Sequence, residues 1–392
     1  MNDQWIQAWG MAHAGLSLFC FRGRNRTFRL TIHSSISGKS IRLTLSNRFS
    51  RQVVEIDAAY AALCSADGAV LGERAPVLFG GQSAVTLNAG ETCRSDALAM
   101  TVPAGCHFCV SIHVKKGKLL SGNALDDAKL TFCRGNHAAD ASFPHRGRPK
   151  DRLLHLAEKV MGMYLSQPIP LFESVELLNG EGASSIVCFG DSITQQGRWI
   201  RPFDRRIQER FPGRYAVINR SVTGNRILRD AYAHHPLKNF FGKRALERFA
   251  WDVRPFSGIK YVIVCLGTND YIQPGTIDAP RSDRVTAQEV AQGLKELACS
   301  IHELGASAYG ATLIPFGGSS QCNPKKDAVR VAVNQWLKTS SPFDRVADFD
   351  AAFAREEEPY LAKEGYTGKD GGHPSPIGGE ALAQSIPLEW FV

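Results

Sequence analysis

The chain has 392 residues, 44% hydrophobic and 21% charged, a composition that fits a globular protein and excludes a disordered or fibrous one. That length exceeds one typical core and predicts two domains. The formal net charge of +8 implies only a mild preference for anionic surfaces.

The basic residues do not form a nucleic-acid footprint. Their densest stretches, Arg22, Arg24, Arg26 and Arg29, then Arg146, Arg148, Lys150 and Arg152, are short and loop-like. No zinc-finger spacing, aromatic RNA-binding strand or basic amphipathic helix accompanies them, so no nucleic-acid partner is expected. The first ten residues lack a basic stretch leading into an apolar run, and no apolar segment reaches the roughly 18 residues of a membrane span. Ten cysteines in a chain this long do not make a dense disulfide framework. These features point to reduced thiols in a cytoplasm and to no membrane partner, with a mature exported form left open.

Up to about residue 170 the hydrophobic period is two. Phe28, Leu30 and Ile32 alternate with Arg29, Thr31 and His33, and Ile41, Leu43 and Leu45 alternate with Arg42, Thr44 and Ser46. Ser37-Gly38, Asp67-Gly68, Gly80-Gly81 and Ala104-Gly105 supply turns between such runs. The pattern predicts an antiparallel β-sandwich, each sheet with one buried and one wet face. Prolines interrupt the region 136–182, where 153–165 reads as a short helix. The domain boundary falls near Gly180-Glu181-Gly182, giving an amino-terminal domain over 1–180 and a second over 181–392.

After Ser184 short continuous apolar runs take over, at 186–189, 215–218, 261–266, 308–313 and 346–349. Such runs suit strands buried on both faces. A helix is expected over 286–304, where Thr286 and Glu289 have the spacing of a capping box and Val290, Leu294, Leu297, Ile301 and Leu304 share a face. Another is expected over 327–338. Strands alternating with helices predict a parallel sheet covered on both sides, with its ligand beyond the carboxyl ends of the strands.

Several motifs fail on inspection. Gly38-Lys39-Ser40 lacks the earlier glycine of a phosphate loop, since His33 stands there, and no helix follows it. Cys106 and Cys109 fall on opposite faces of an alternating strand and cannot share an ion. The pair His234-His235 lacks a metalloprotease pattern and reads as a surface or loop feature. The G-x-S-x-G elbow is absent, because Ile193-Thr194 follows Gly190-Asp191-Ser192.

Four remaining pieces lie at strand ends or just before the last helix: Gly190-Asp191-Ser192, Gly224-Asn225, Gly267-Thr268-Asn269-Asp270, and Asp370-Gly371-Gly372-His373. A serine hydroxyl needs an adjacent base, and His373 can be that base. Asp370, across two glycines, can orient its ring. The N–H groups of Ser192 and Gly224 and the Asn269 amide can receive an oxyanion. Each piece alone is ordinary loop chemistry; their joint order points to a serine hydrolase.

These residues resemble the SGNH (GDSL-like) hydrolase superfamily, whose four blocks match the four pieces. The resemblance implies Ser192 as nucleophile, His373 as base, Asp370 completing the triad, and Ser192, Gly224 and Asn269 as oxyanion donors. It also implies a flavodoxin-like three-layer αβα fold. The first block reads Gly-Asp-Ser-Ile where the family commonly has leucine, a change at a packing position. Trp5 to Trp9, the run 41–49, Gly197-Arg198-Trp199, the run 309–316 and Val333-Asn334-Gln335-Trp336 are similar to a bacterial subgroup with an amino-terminal β-domain of jelly-roll-like type, whose members are often exported.

The expected activity is therefore a carboxylic ester hydrolase that forms an acyl-enzyme and requires no metal or organic cofactor. The β-sandwich and the lack of a long apolar lid favour a small acyl ester or acetylated carbohydrate as substrate. Arg198, Trp199, Asn225 and Arg226 lie near the blocks as candidate substrate contacts. A lipase or thioesterase, or an O-acetyltransferase with the same triad, are the alternatives, and a homo-oligomer is left open.

Overall fold

The structure, a computed structural model, describes residues 3–16, 21–142, 167–235 and 238–392. The helix expected over 153–165 and the basic stretch at 146–152 lie outside these residues. Two antiparallel sheets dominate the amino-terminal part. One runs in the order Gln4–Gly10, Phe172–Asn179, Gly38–Ser46 and Leu98–Val102, with Thr92–Arg94 also paired to Gly38–Ser46. The other runs Lys129–Arg134, Arg26–His33, His107–Lys116, Val54–Cys64 and Ala75–Pro76, with Val85–Leu87 also on Val54–Cys64.

Alternation supplies the inner faces. Phe28, Leu30 and Ile32 from one sheet and Ile41, Leu43 and Leu45 from the other join a single buried apolar cluster. Each such side chain contributes roughly 1.5–3 kcal/mol by leaving water. The second face is not wet as alternation predicts, because Thr27, Arg29 and Thr31 are buried too. The Arg29 guanidinium accounts for this. It donates to Ser111 Oγ at 2.8 Å and to the carbonyls of Gly68, Asp140 and Ala141, so two loops fold over that face.

Pairing changes from antiparallel to parallel between Asn179 and Ser184. Five parallel strands then lie in the order Tyr215–Asn219, Ser184–Gly190, Ile259–Cys265, Ser307–Ala311 and Arg345–Ala347. In chain order this is second, first, third, fourth, fifth, the flavodoxin-like arrangement. The helices Ile200–Arg210 and Pro376–Gln384 pack together, while Ala287–His302 packs on Pro324–Thr339 and Ala245–Asp252. The two groups make the outer layers of an αβα domain.

The helix Ala287–His302 carries the expected capping box, Thr286 accepting from Glu289 N and Glu289 accepting from Thr286 N. The next helix, Pro324–Thr339, starts three residues earlier than its apolar pattern suggests. Asn323 caps it by accepting from Lys326 N at 3.1 Å, and Pro324 occupies the first turn, where its missing N–H costs nothing.

The first strand also lies against the parallel sheet. Met11 bridges Asn219, and Ser257 Oγ donates to Trp5 O at 2.8 Å. Gly258 makes this approach possible. Its φ is +71°, and a Cβ there would fall 2.1 Å from Ile6 Cδ1 and 3.2 Å from Trp5 O. Gly258→Ala is thus strained in both backbone and packing. It should lower stability by about 1–3 kcal/mol, read as a lower thermal midpoint. An unchanged midpoint would contradict the close approach.

Candidate active site

Strand Ser184–Gly190 delivers its last residue to the switch point of the sheet, and the chain turns at once into the single-turn helix Ser192–Gln195. Asp191 caps that helix by accepting from Ile193 N at 3.0 Å. The Gly190 carbonyl is fixed from two sides, by Val222 N at 3.1 Å and by an Arg248 guanidinium nitrogen at 2.7 Å. Ser192 is thereby held at the end of a strand that cannot shift.

His373 arrives from the far end of the chain. Ser192 Oγ lies 2.7 Å from His373 Nε2, and His373 Nδ1 donates to an Asp370 carboxylate oxygen. The other Asp370 oxygen accepts from Gly372 N and His373 N, both at 3.2 Å, which closes the tight turn. The Phe316 ring stands edge-on to the imidazole, with centroids 5.7 Å apart. Burial raises the Asp370 carboxyl, but the His373 hydrogen bond and charge, with the two N–H donors, outweigh it and hold the group below its usual range. A carboxylate at Nδ1 assigns the proton there and leaves Nε2 free to accept the serine proton.

Donors gather on the other side of Ser192. Among the described residues the N–H groups of Ser192 and Gly224 donate to nothing in the fold. Gly224 has φ of +66°, and the Phe241 ring lies 2.4 Å from where its Cβ would stand, so only glycine fits. Asn269 lies in the first turn of the short helix Thr268–Ile272. Its Nδ2 donates to Asp191 Oδ2 at 3.2 Å and to Asn225 O at 3.0 Å. Gln273 Nε2 donates to both Gly224 O at 2.9 Å and Asn269 Oδ1 at 3.1 Å, joining two of the blocks. Asp270 accepts from Ile227 N and Leu228 N and so secures the chain after Gly224.

The structure thus brings Ser192, Gly224, Asn269, Asp370 and His373 together. Three of the four candidate substrate contacts, Trp199, Asn225 and Arg226, are buried rather than presented beside Ser192. Trp199 is fully buried between Phe203 and Phe349, and its Nε1 donates to Thr194 Oγ1 at 3.3 Å. It is a core residue at the N-cap of the helix Ile200–Arg210, not a sugar platform. Asn225 is buried, accepting from Arg248 and donating to the carbonyls of Phe241 and Lys243. Arg226 is buried as well, donating to Asp283 at 2.8 Å and to Asp230 O. Arg198 is half-buried. Asn225 and Arg226 are covered because the segments after Gly224 fold back over them.

His235 departs from its surface reading too. It is buried, stacks on Phe241 at 4.9 Å, and pairs with Asp278 at 3.0 Å. Asp278 in turn accepts from Gln321 Nε2 at 2.8 Å. Arg248, Gln273, Asp278 and Gln321 carry no signal in the sequence, since each is a solitary polar residue in an unremarkable context. Cys109 is buried with Ala62 and Cys64 in a cluster separate from the main core. Gly38-Lys39-Ser40 opens the strand Gly38–Ser46.

Residues 188–381 match the GDSL-like lipase/acylhydrolase family, a stretch that includes every one of the gathered residues. Among solved structures, an acetylxylan esterase from Geobacillus stearothermophilus is similar at 20% identity, over 52% of this chain and 94% of that one, with a TM-score of 0.38. A GDSL-like lipase from Bacteroides thetaiotaomicron is similar at 16% identity, over 52% and 85%, with a TM-score of 0.38. LAE5, an α/β hydrolase enzyme from the metagenome of Lake Arreo, is similar at 17% identity, over 52% and 92%, again at 0.38. No curated protein matches the chain.

Burial pushes the Asp191 carboxyl up to about 7. In the unfolded chain an aspartate titrates near ~3.9, so the folded protein takes the proton first as pH falls. The stability this contributes is fully present below the unfolded value and is lost as pH rises through about 7. Asp191→Asn removes the titration. The thermal midpoint of the wild type minus that of the variant should therefore be larger at pH 5 than at pH 8. A difference independent of pH would refute the buried-carboxyl account.

Proposed function

The chain belongs to the GDSL-like lipase/acylhydrolase family of hydrolases, and on that premise we propose that it is a serine carboxylic ester hydrolase that removes O-acetyl groups from carbohydrate through an acyl-enzyme on Ser192. The observation that carries the reading is the 2.7 Å contact of Ser192 Oγ with His373 Nε2, backed by Asp370.

In this mechanism His373 takes the serine proton as Oγ attacks the ester carbonyl. The oxyanion forms against the unused N–H groups of Ser192 and Gly224. Asn269 joins them by exchanging its longer contact, the 3.2 Å one to Asp191, for the developing charge. The imidazolium, held by Asp370, returns the proton to the leaving alkoxide. Water then attacks the acyl-enzyme with His373 again as base, releasing acetate and restoring Ser192.

Two features support a short acyl group on a hydroxylated alcohol. The Phe241 ring walls the oxyanion loop at Gly224, which limits room for a long chain. Beyond it, the half-buried Asp278 and Gln321, anchored by the buried His235, run toward the loop at Gly318, whose backbone abuts Gly371 beside Asp370. A polar border of this kind suits sugar hydroxyls better than lipid.

Ser192→Ala should reduce hydrolysis of p-nitrophenyl acetate by several orders of magnitude with the fold retained; near-normal turnover would refute the nucleophile. Asn269→Ala should cost about 100- to 1000-fold in kcat, and a loss of only a few-fold would remove it from the oxyanion site. Across a series of acyl lengths and acetylated oligosaccharides, kcat/KM should be highest for acetyl. Preference for chains of eight or more carbons would favour a lipase or thioesterase instead.

A further inference from the structure

A buried side chain of the amino-terminal β region, Asn123, bonds to the two segments that carry Ser192 and Gly224. Asn123 lies on the short strand Ser121–Ala124, which sits between Pro168–Pro170 and Ala14–Gly15. Its Nδ2 donates to Ala12 O at 2.9 Å and to Ser221 O at 2.8 Å. Its Oδ1 accepts from Ala124 N at 2.8 Å and from Gln195 Nε2 at 3.0 Å. Both protons and both lone pairs of the amide are therefore used, each on a different group.

Two of those groups belong to the esterase site. Gln195 ends the single-turn helix that Ser192 begins, and its Nε2 also reaches Ala124 O at 2.7 Å. Ser221 lies on the loop that leads to Gly224. A one-turn helix has too few internal bonds to hold itself, so its position is set from outside. Asn219 supplies part of that hold, donating to the carbonyls of Thr194 and Gln195 at 3.3 Å. Asn123 supplies the link between that helix and the oxyanion loop.

We propose that Asn123 is a positioning residue for the ester hydrolysis. The β region uses it to fix the spacing between the nucleophile's helix and the Gly224 loop. The inference rests on the reading of Ser192 as nucleophile. An aspartate would aim a carboxylate at two carbonyls, and an alanine would remove the donor to the Ala12 and Ser221 carbonyls and leave Gln195 Nε2 with the Ala124 carbonyl alone.

The test compares Asn123→Ala and Gln195→Met, singly and together, with Asn47→Ala. Asn47 is an equally buried amide of the β region that donates to the carbonyls of Gln52, Leu87 and Asn88, remote from the site in its bonding. Turnover of p-nitrophenyl acetate is measured per folded molecule, beside the thermal midpoint. Asn123→Ala should lower kcat by about 10- to 100-fold with KM within about threefold. The double variant should lose little more than Asn123→Ala alone, because one link is broken in each. Asn47→Ala should lower the midpoint and leave kcat unchanged.

Wild-type kcat per folded Asn123→Ala molecule, or a loss no greater than that of Asn47→Ala, overturns the proposal. If Asn123→Ala does not fold, Gln195→Met decides alone, since it leaves the Ala12 and Ser221 bonds in place; unchanged kcat there overturns it equally. Hydrolysis that persists in Ser192→Ala would instead defeat the underlying assignment of the nucleophile, whatever Asn123 shows.

Discussion

The Arg248 guanidinium is shut inside the protein, and the geometry of the site depends on where it sits. Its Nε donates to Asn225 Oδ1 at 2.8 Å, and one terminal nitrogen donates to Arg220 O at 2.8 Å and Asp252 at 2.9 Å. The other donates to Gly190 O at 2.7 Å, and the group lies 3.9 Å over the Phe189 ring. A buried charge costs several kcal/mol unless it is paired and its donors are used, and here both conditions are met. Gly190 immediately precedes the Asp191-Ser192 turn, and Asn225 immediately follows Gly224. One planar cation therefore sets the distance between the Ser192 turn and the Gly224 loop before His373 or Asn269 enters.

The same electrostatic chain runs on into the β region. Asp252 faces Arg220 as well as Arg248, and Arg220 is fully buried over Phe256 with a bond to Met11 O. Burial raises the Glu173 carboxyl on strand Phe172–Asn179, and the charges of Arg220 and Arg48 draw it back down. Charges from both parts of the chain thus compensate one another across the junction. Arg248 reaches Gly190 and Asn225 from the helix side, and Asn123 reaches Gln195 and Ser221 from the β side. The two residues grip the same pair of segments from opposite directions, which leaves the spacing between them little freedom.

The sequence revealed what depends on local pattern and hid what depends on cover. Alternation identified Arg26–His33 and Gly38–Ser46 as antiparallel strands, and continuous apolar runs marked the parallel sheet, because each pattern reports the faces a strand buries. The capping box at Thr286 is likewise local. The turn that joins Asp370 to His373 spans only two glycines, so it too was legible. Arg29 and Arg226 were misread for one reason: each is charged, and its burial is decided by loop segments bonded to it from elsewhere, whereas Trp199 is covered by the helix residues Phe203 and Phe349. Asn123, Gln273 and Arg248 were invisible because an isolated asparagine, glutamine or arginine has no spacing to read. Their partners lie as far as 111 residues away in the chain.

Asn269 shows how such hidden partners shape the chemistry. Two of the three proposed oxyanion donors are backbone N–H groups with no other duty, fixed by the Asp191 cap and by the left-handed turn at Gly224. The third is a side-chain amide already serving two acceptors. Gln273 pins its Oδ1, which limits the amide to small rotations about that anchor. Giving up the carbonyl of Asn225 would break the tie to the Gly224 loop just as charge develops there. Giving up Asp191 breaks no such tie, and the oxyanion replaces one anionic or polar acceptor with a stronger one. The burial that pushes the Asp191 carboxyl up to about 7 also weakens it as a competitor, because a protonated carboxyl accepts less strongly than a carboxylate. In the proposed mechanism the cost of recruiting Asn269 is thus kept low by the residue that caps the helix Ser192–Gln195.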